Sequence, residues 1–99
     1  MGWLQYAGTA LPIEDRALAH LRAVLRHKLQ LREHFLLKWR VAPRHGSGRL
    51  ALWCGPETAL VFRFESQAPI HLNTAWVEQM LAASYISGGV DLADEPPSS

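Results

Sequence analysis

The chain carries one cysteine, Cys54, in 99 residues. A single thiol closes no intramolecular disulfide and builds no thiolate metal cage or C-x-x-C redox pair, which fits a reducing compartment. Cys54 reads as a small residue of a core strand. Long apolar runs are also missing. Runs such as Phe35–Leu37, Leu50–Trp53 and Ala59–Phe62 fall far short of the roughly 20 residues a membrane-spanning helix needs. The N-terminus lacks a charged segment followed by an apolar run, and Tyr6 stands where a myristoylation signal wants serine or threonine. The expectation is a soluble, cytoplasmic protein with no membrane partner.

Catalytic and metal motifs are scarce as well. Five histidines are present (His20, His27, His34, His45, His71), but no two stand at the i, i+4 spacing that sets two ligands side by side on a helix. His20 and His27 share a stripe two turns apart, roughly 10 Å, too far for one ion. No serine sits in a Gly-x-Ser-x-Gly setting, and Gly46-Ser47-Gly48 is too short for a phosphate-binding loop. Neither metal, cofactor nor enzymatic activity is expected. Arg16 and His20, at i, i+4, read as a secondary polar helix face.

What is present is an uneven charge. Residues 16–49 hold nine basic residues against Glu33 alone, a net +8, whereas residues 50–99 carry −5 and residues 1–15 carry −2. A basic half and an acidic half suggest a polyanionic partner, or a surface that pairs with a second copy or masks itself.

The hydrophobic pattern predicts one α+β domain over residues 1–93 and a flexible polar tail over 94–99. An N-terminal hairpin turns at Ala7-Gly8-Thr9, with Pro12 confining its return strand to an edge. A helix runs from Asp15, whose carboxylate can cap free N–H groups, to about Gln30, with Leu18, Leu21, Leu25 and Leu29 as its buried stripe. Lys28 projects into that apolar arc and is expected to snorkel past the helix end. Three strands follow as an antiparallel meander from Phe35 to Glu65. A second helix spans Thr74 to about Ser87, N-capped by Asn73 and ended at Gly88-Gly89. A short strand near Val90–Leu92 closes the fold.

The meander has two unlike faces. Phe35, Leu37, Trp39, Leu50, Leu52, Leu60, Phe62 and Phe64 form an apolar face to be covered by helices. The other face carries Lys38, Arg40, Arg49, Trp53 and Arg63, and the basic turn adds Arg44. Arginine and lysine on a sheet neutralise phosphates, and an exposed tryptophan stacks on an unpaired base. These six residues form the expected binding site for an anionic partner, with DNA or RNA favoured. The alternative is a protein-interaction or homodimeric module anchored by this face or by Trp3 and Trp76.

Met1-Gly2-x-Leu4-x-Tyr6, Asp15-Arg16-x-Leu18-Ala19-His20-Leu21, Lys28-Leu29, Phe35 to Trp39, Gly48-Arg49, Leu52-Trp53, Pro69, Leu72-Asn73-x-x-Trp76, Gly89 and Glu95-Pro96 together resemble a family of small actinobacterial proteins of unknown function. Many of its members carry the label "ATP-dependent DNA ligase". The resemblance covers nearly the whole chain and departs at Leu31 and Cys54. It implies no established activity. Ligase chemistry needs a lysine nucleophile in a K-x-D/N-G context, and neither Lys28-Leu29-Gln30-Leu31 nor Lys38-Trp39-Arg40-Val41 supplies one.

Overall fold

The computed structural model describes residues 1–40, 49–92 and 95–97; the side chains of Trp39, Arg40, Arg49 and Leu50 lie outside that description. In chain order the elements are β1 (Gly2–Tyr6), β2 (Thr9–Ile13), α1 (Asp15–Gln30), β3 (Phe35–Arg40), β4 (Arg49–Cys54), β5 (Leu60–Arg63), α2 (Thr74–Ser87) and β6 (Gly89–Asp91). The class is α+β and the element order is the expected one. The hairpin turn needs left-handed backbone at both central residues, Ala7 (φ 47°) and Gly8 (φ 87°), as a two-residue connection between twisted strands demands. Glycine adopts this freely; alanine does so at a cost.

Two three-stranded sheets form, in the orders β2-β1-β5 and β4-β3-β6. The third strand of the expected meander is therefore present, but it pairs antiparallel with β1, setting Leu4 opposite Phe62 and Trp3 opposite Arg63. The link after β4 closes on itself, with Gly55 N–H donating to Thr58 Oγ1 and Thr58 N–H to the Gly55 carbonyl, both at 2.9 Å. The chain then meets β1, whose second edge β2 leaves open. Pro12 sits in the edge strand β2, where its missing N–H costs nothing. On the far side of β3, β6 adds in parallel, pairing Leu36 with Gly89 and Leu37 with Val90.

Both sheets and both helices close on one core. It comprises Leu4, Leu11 and Ile13 of the first sheet, Phe35, Leu37, Leu52, Cys54 and Val90 of the second, Leu18, Leu21, Val24 and Leu25 of α1, and Trp76 and Met80 of α2. Burial pushes the Cys54 thiol up to about 11, as desolvation disfavours the thiolate. Asn73 caps α2, its side chain accepting from Ala75 N–H at 3.1 Å, and Gly88 ends the helix in left-handed backbone (φ 78°).

The start of α1 differs from expectation. Glu14 occupies the cap position without a side-chain bond. Asp15 instead turns its carboxylate to the chain leaving β5, accepting from Glu65 N–H at 3.1 Å and Ser66 N–H at 2.8 Å. Two free amides of an exposed bend thus outcompete the helix's own terminus. At the other end Arg32 N–H donates to the Leu29 carbonyl and Glu33 N–H to that of Lys28. This is the paired bonding of a Schellman ending, with Arg32 (φ 58°) in the position glycine usually fills.

Candidate binding face

β3 and β4 run antiparallel with Leu36 opposite Trp53, Lys38 opposite Ala51 and Arg40 opposite Arg49. Alternation sends Leu37, Leu52 and Cys54 into the core and leaves Lys38, Ala51 and Trp53 on the outer face, as the sequence pattern requires. Trp53 is 57% exposed there. The His34 ring stacks beside it, centroids 6.3 Å apart at 22°, and is steadied by Glu57 Oε1 at 3.1 Å. Lys38 Nζ stands 3.9 Å from Asp91 Oδ2 of β6, a loose pair on an open surface. Trp53 and Lys38 are thus diagonal neighbours on the outer face, with the Arg40–Arg49 backbone pair next along the ladder.

The other expected site residues do not gather here. Arg63 is exposed, but it belongs to the other sheet, opposite Trp3, because β5 pairs with β1. Arg44 lies outside the described residues, as do the side chains of Arg40 and Arg49.

Arg16 and His20 do not form a polar surface face. His20 is fully buried, because the start of α2 covers that side of α1. Its Nδ1 donates to the Arg16 carbonyl and its Nε2 accepts from Asn73 N–H, each at 2.7 Å. A carbonyl only accepts and an amide only donates, so these partners select one neutral tautomer. The ring also packs on Trp76, centroids 4.5 Å apart. Trp76 is therefore a core residue and no surface anchor.

Arg16 grips Glu95 through two nitrogens, Nε at 2.8 Å and Nη2 at 2.6 Å, and Asn73 Nδ2 donates to Glu95 Oε2 and to the Pro96 carbonyl. Arg16, then Asn73, hold the Glu95 carboxyl down to about 2. Residues expected in a frayed tail are instead fastened across the ends of both helices.

Lys28 does not reach solvent; it is 3% exposed. Its ammonium bonds Glu33 Oε1 at 3.1 Å and lies 3.9 Å from the centre of the Tyr85 ring, while Tyr85 Oη donates to Glu33 Oε2 at 3.1 Å. The helix ending described above bends Glu33 back beside Lys28 and so makes this triad. Lys28 holds Glu33 below the usual carboxylate range, and burial followed by Glu33 raises Tyr85. The available signal was Glu33 itself, the one acid in a strongly basic segment.

Sequence reasoning also missed a groove between α1 and β5. About 390 Å³ in volume, it is lined by Arg22, Leu25, Arg26, Leu29, Gln30 and Phe62. A second hollow of about 280 Å³, from Ala19 to Leu72, shares Arg22 with it. Among the described residues no three or more His, Cys, Asp and Glu side chains gather as a metal site, and no helix is long and apolar enough to cross a membrane.

No curated protein and no solved structure matches the chain. A family model, described as a domain of unknown function (DUF7882), matches residues 1–95, a span that takes in both sheets, both helices and the Arg16–Glu95 pair. The chain belongs to the DUF7882 family.

Proposed function

We propose that this domain is a non-catalytic module that binds an anionic partner on the outer face of β3 and β4, with single-stranded nucleic acid as the favoured partner. The observation that carries the reading is Trp53, exposed and diagonal to Lys38 on the outer face of β3 and β4, beside the Arg40–Arg49 backbone pair. Trp53 offers a ring for an unpaired base, worth about 1–3 kcal/mol per stacked base. Lys38 and the arginine pair would follow the backbone. Ligase-type catalysis finds no support: Lys28 is already engaged by Glu33 and Tyr85, and neither lysine stands in a K-x-D/N-G setting.

Fluorescence anisotropy of labelled DNA and RNA oligonucleotides tests the proposal. Binding at low salt, weakening steeply as salt rises and lost in Trp53→Ala, is expected. No binding to single- or double-stranded forms at low salt, or binding indifferent to salt, removes it.

One observation favours a second reading, a protein-binding or homodimeric module. The last turns of α2 present Ile86, 89% exposed, beside the exposed Tyr85. Sedimentation as a monomer at high concentration, unchanged by Ile86→Lys, would discard the homodimer.

A further inference from the structure

Among the described residues the two sheets end in four edge strands, and three of them are protected. In β2 the obstacle is Pro12. The two-residue turn makes Tyr6 and Thr9 a hydrogen-bonded pair, so by alternation Leu4 and Leu11 bond across the hairpin while Pro12 turns its ring nitrogen outward. An edge proline of this kind blocks further pairing. β4 is obstructed at Trp53 by Tyr6, whose hydroxyl donates to the Trp53 carbonyl at 2.6 Å, and β6 is only three residues long.

The fourth edge is β5. The same alternation makes Trp3 and Gln5 bond towards β5, so Arg63 and Val61 face inward and the backbone N–H and C=O of Leu60 and Phe62 face out. Among the described residues no hydrogen bond occupies them. Just beyond, Asp15 closes the chain at Glu65 and Ser66. The open window is therefore Leu60–Arg63.

The groove beside α1 borders this same strand through Phe62, which lines it with Leu25, Leu29, Arg22 and Arg26. Among the described residues no carboxylate lines it. Arg22 rests on the Phe64 ring, 4.9 Å from its centre, and Arg26 has no ion pair among the described residues. A free strand edge, an apolar lining and two cations one helical turn apart are the parts that strand addition uses: backbone bonds give affinity, and alternate side chains entering the groove give selectivity.

We infer that β5 and α1 form a docking groove for an extended segment of a partner protein, which adds as a strand to β5 and presents an apolar side chain to Phe62, Leu25 and Leu29 and a carboxylate to Arg22 and Arg26. The apolar and acidic residues stand two positions apart, the spacing that puts both on one face of a strand. This groove is distinct from the β3–β4 face and does not depend on the nucleic-acid reading.

The test uses the full chain, isotopically labelled for NMR, and a short capped peptide with valine and glutamate two positions apart. Shifts confined to the amides of Leu60, Phe62 and α1 residues 22–30, with the Leu60 and Phe62 amides gaining protection from exchange, are expected. Backbone N-methylation of the peptide should abolish binding, and replacing its glutamate with lysine should weaken it. Arg26→Glu should cost about tenfold or more in affinity, with Arg26→Gln intermediate. Both variants alter an exposed side chain, and their unchanged amide spectra would confirm folding. The inference is overturned if millimolar peptide leaves those amides unmoved, or if the N-methylated peptide binds as well. It is equally overturned if an oligonucleotide or a second copy of the chain, and no peptide, occupies them.

Discussion

The Tyr6 hydroxyl and the Trp53 carbonyl meet at 2.6 Å, joining the central strand of one sheet to the edge strand of the other. Tyr6→Phe keeps the ring and removes the bond. The bond is solvent-exposed, so the cost should be small, about 0.5–1 kcal/mol by urea denaturation. Faster hydrogen exchange should appear in β4 and spare β2. A uniform change across both sheets would deny Tyr6 this bridging role.

Among the described residues, two hold left-handed backbone without being glycine, Ala7 and Arg32. Replacing either with glycine removes a steric penalty of roughly 1 kcal/mol, partly offset by the greater freedom glycine gives the unfolded chain. Each substitution should raise the melting temperature by a few degrees. A lower melting temperature for both would contradict the assigned turn geometries.

Glu95 titrates near 2 in the folded protein against an ordinary 4.5, chiefly because Arg16 bonds it. Its folded value is depressed, so its contribution is complete above the unfolded carboxylate range and is lost as pH falls from about 4.5 through about 2. A carbon-detected NMR titration should show Glu95 ionised at pH 3.5, and Arg16→Ala should return it towards the ordinary range. Asn73→Ala removes the α2 cap and two tail bonds together and should destabilise by about 1–2 kcal/mol. Titration of Glu95 near 4.5 in the unaltered protein would rule out the pairing.

The Lys28 stem is buried, so Lys28→Ala should cost about 2–3 kcal/mol, at about 0.8 kcal/mol per buried methylene. Lys28→Met keeps most of that packing and should cost less, as buried ion pairs contribute little beyond a well-packed apolar replacement. Equal losses in both variants would mean that charge, and not packing, makes the position.

Cys54 is fully buried and its thiol is pushed up to about 11, so at pH 8 the folded protein should react with iodoacetamide only as fast as it opens. Labelling at the rate of a free thiol under native conditions would place Cys54 outside the core.

Features set by neighbours along the chain were legible in the sequence. Helical spacing of leucines and the Asn73 and Gly88 signals located α1 and α2, and Pro12 placed β2 at an edge. Alternation correctly sorted Lys38 and Trp53 from Leu37 and Leu52. What failed depended on distant partners. The expected position of Arg63 assumed that β5 would turn back on β4, whereas its edge bonds went to β1. His20 looked exposed because α1's own periodicity cannot reveal that α2 lies across it. Lys28 looked as though it would reach water because its partner Tyr85 stands 57 residues further on.

The exchange of strands between the sheets also sets the order of assembly. Trp3 pairs with Arg63, and Leu36 with Gly89, so each sheet awaits a strand synthesised long after its first two. A nascent chain with only its first half out of the ribosome would hold α1 and two hairpins that lack their third strands, and a lone hairpin is marginal in water. Completion depends on contacts distant in sequence, which slow folding. The emerging chain should gain protease resistance in one late step, when β6 and the residues that follow it become available.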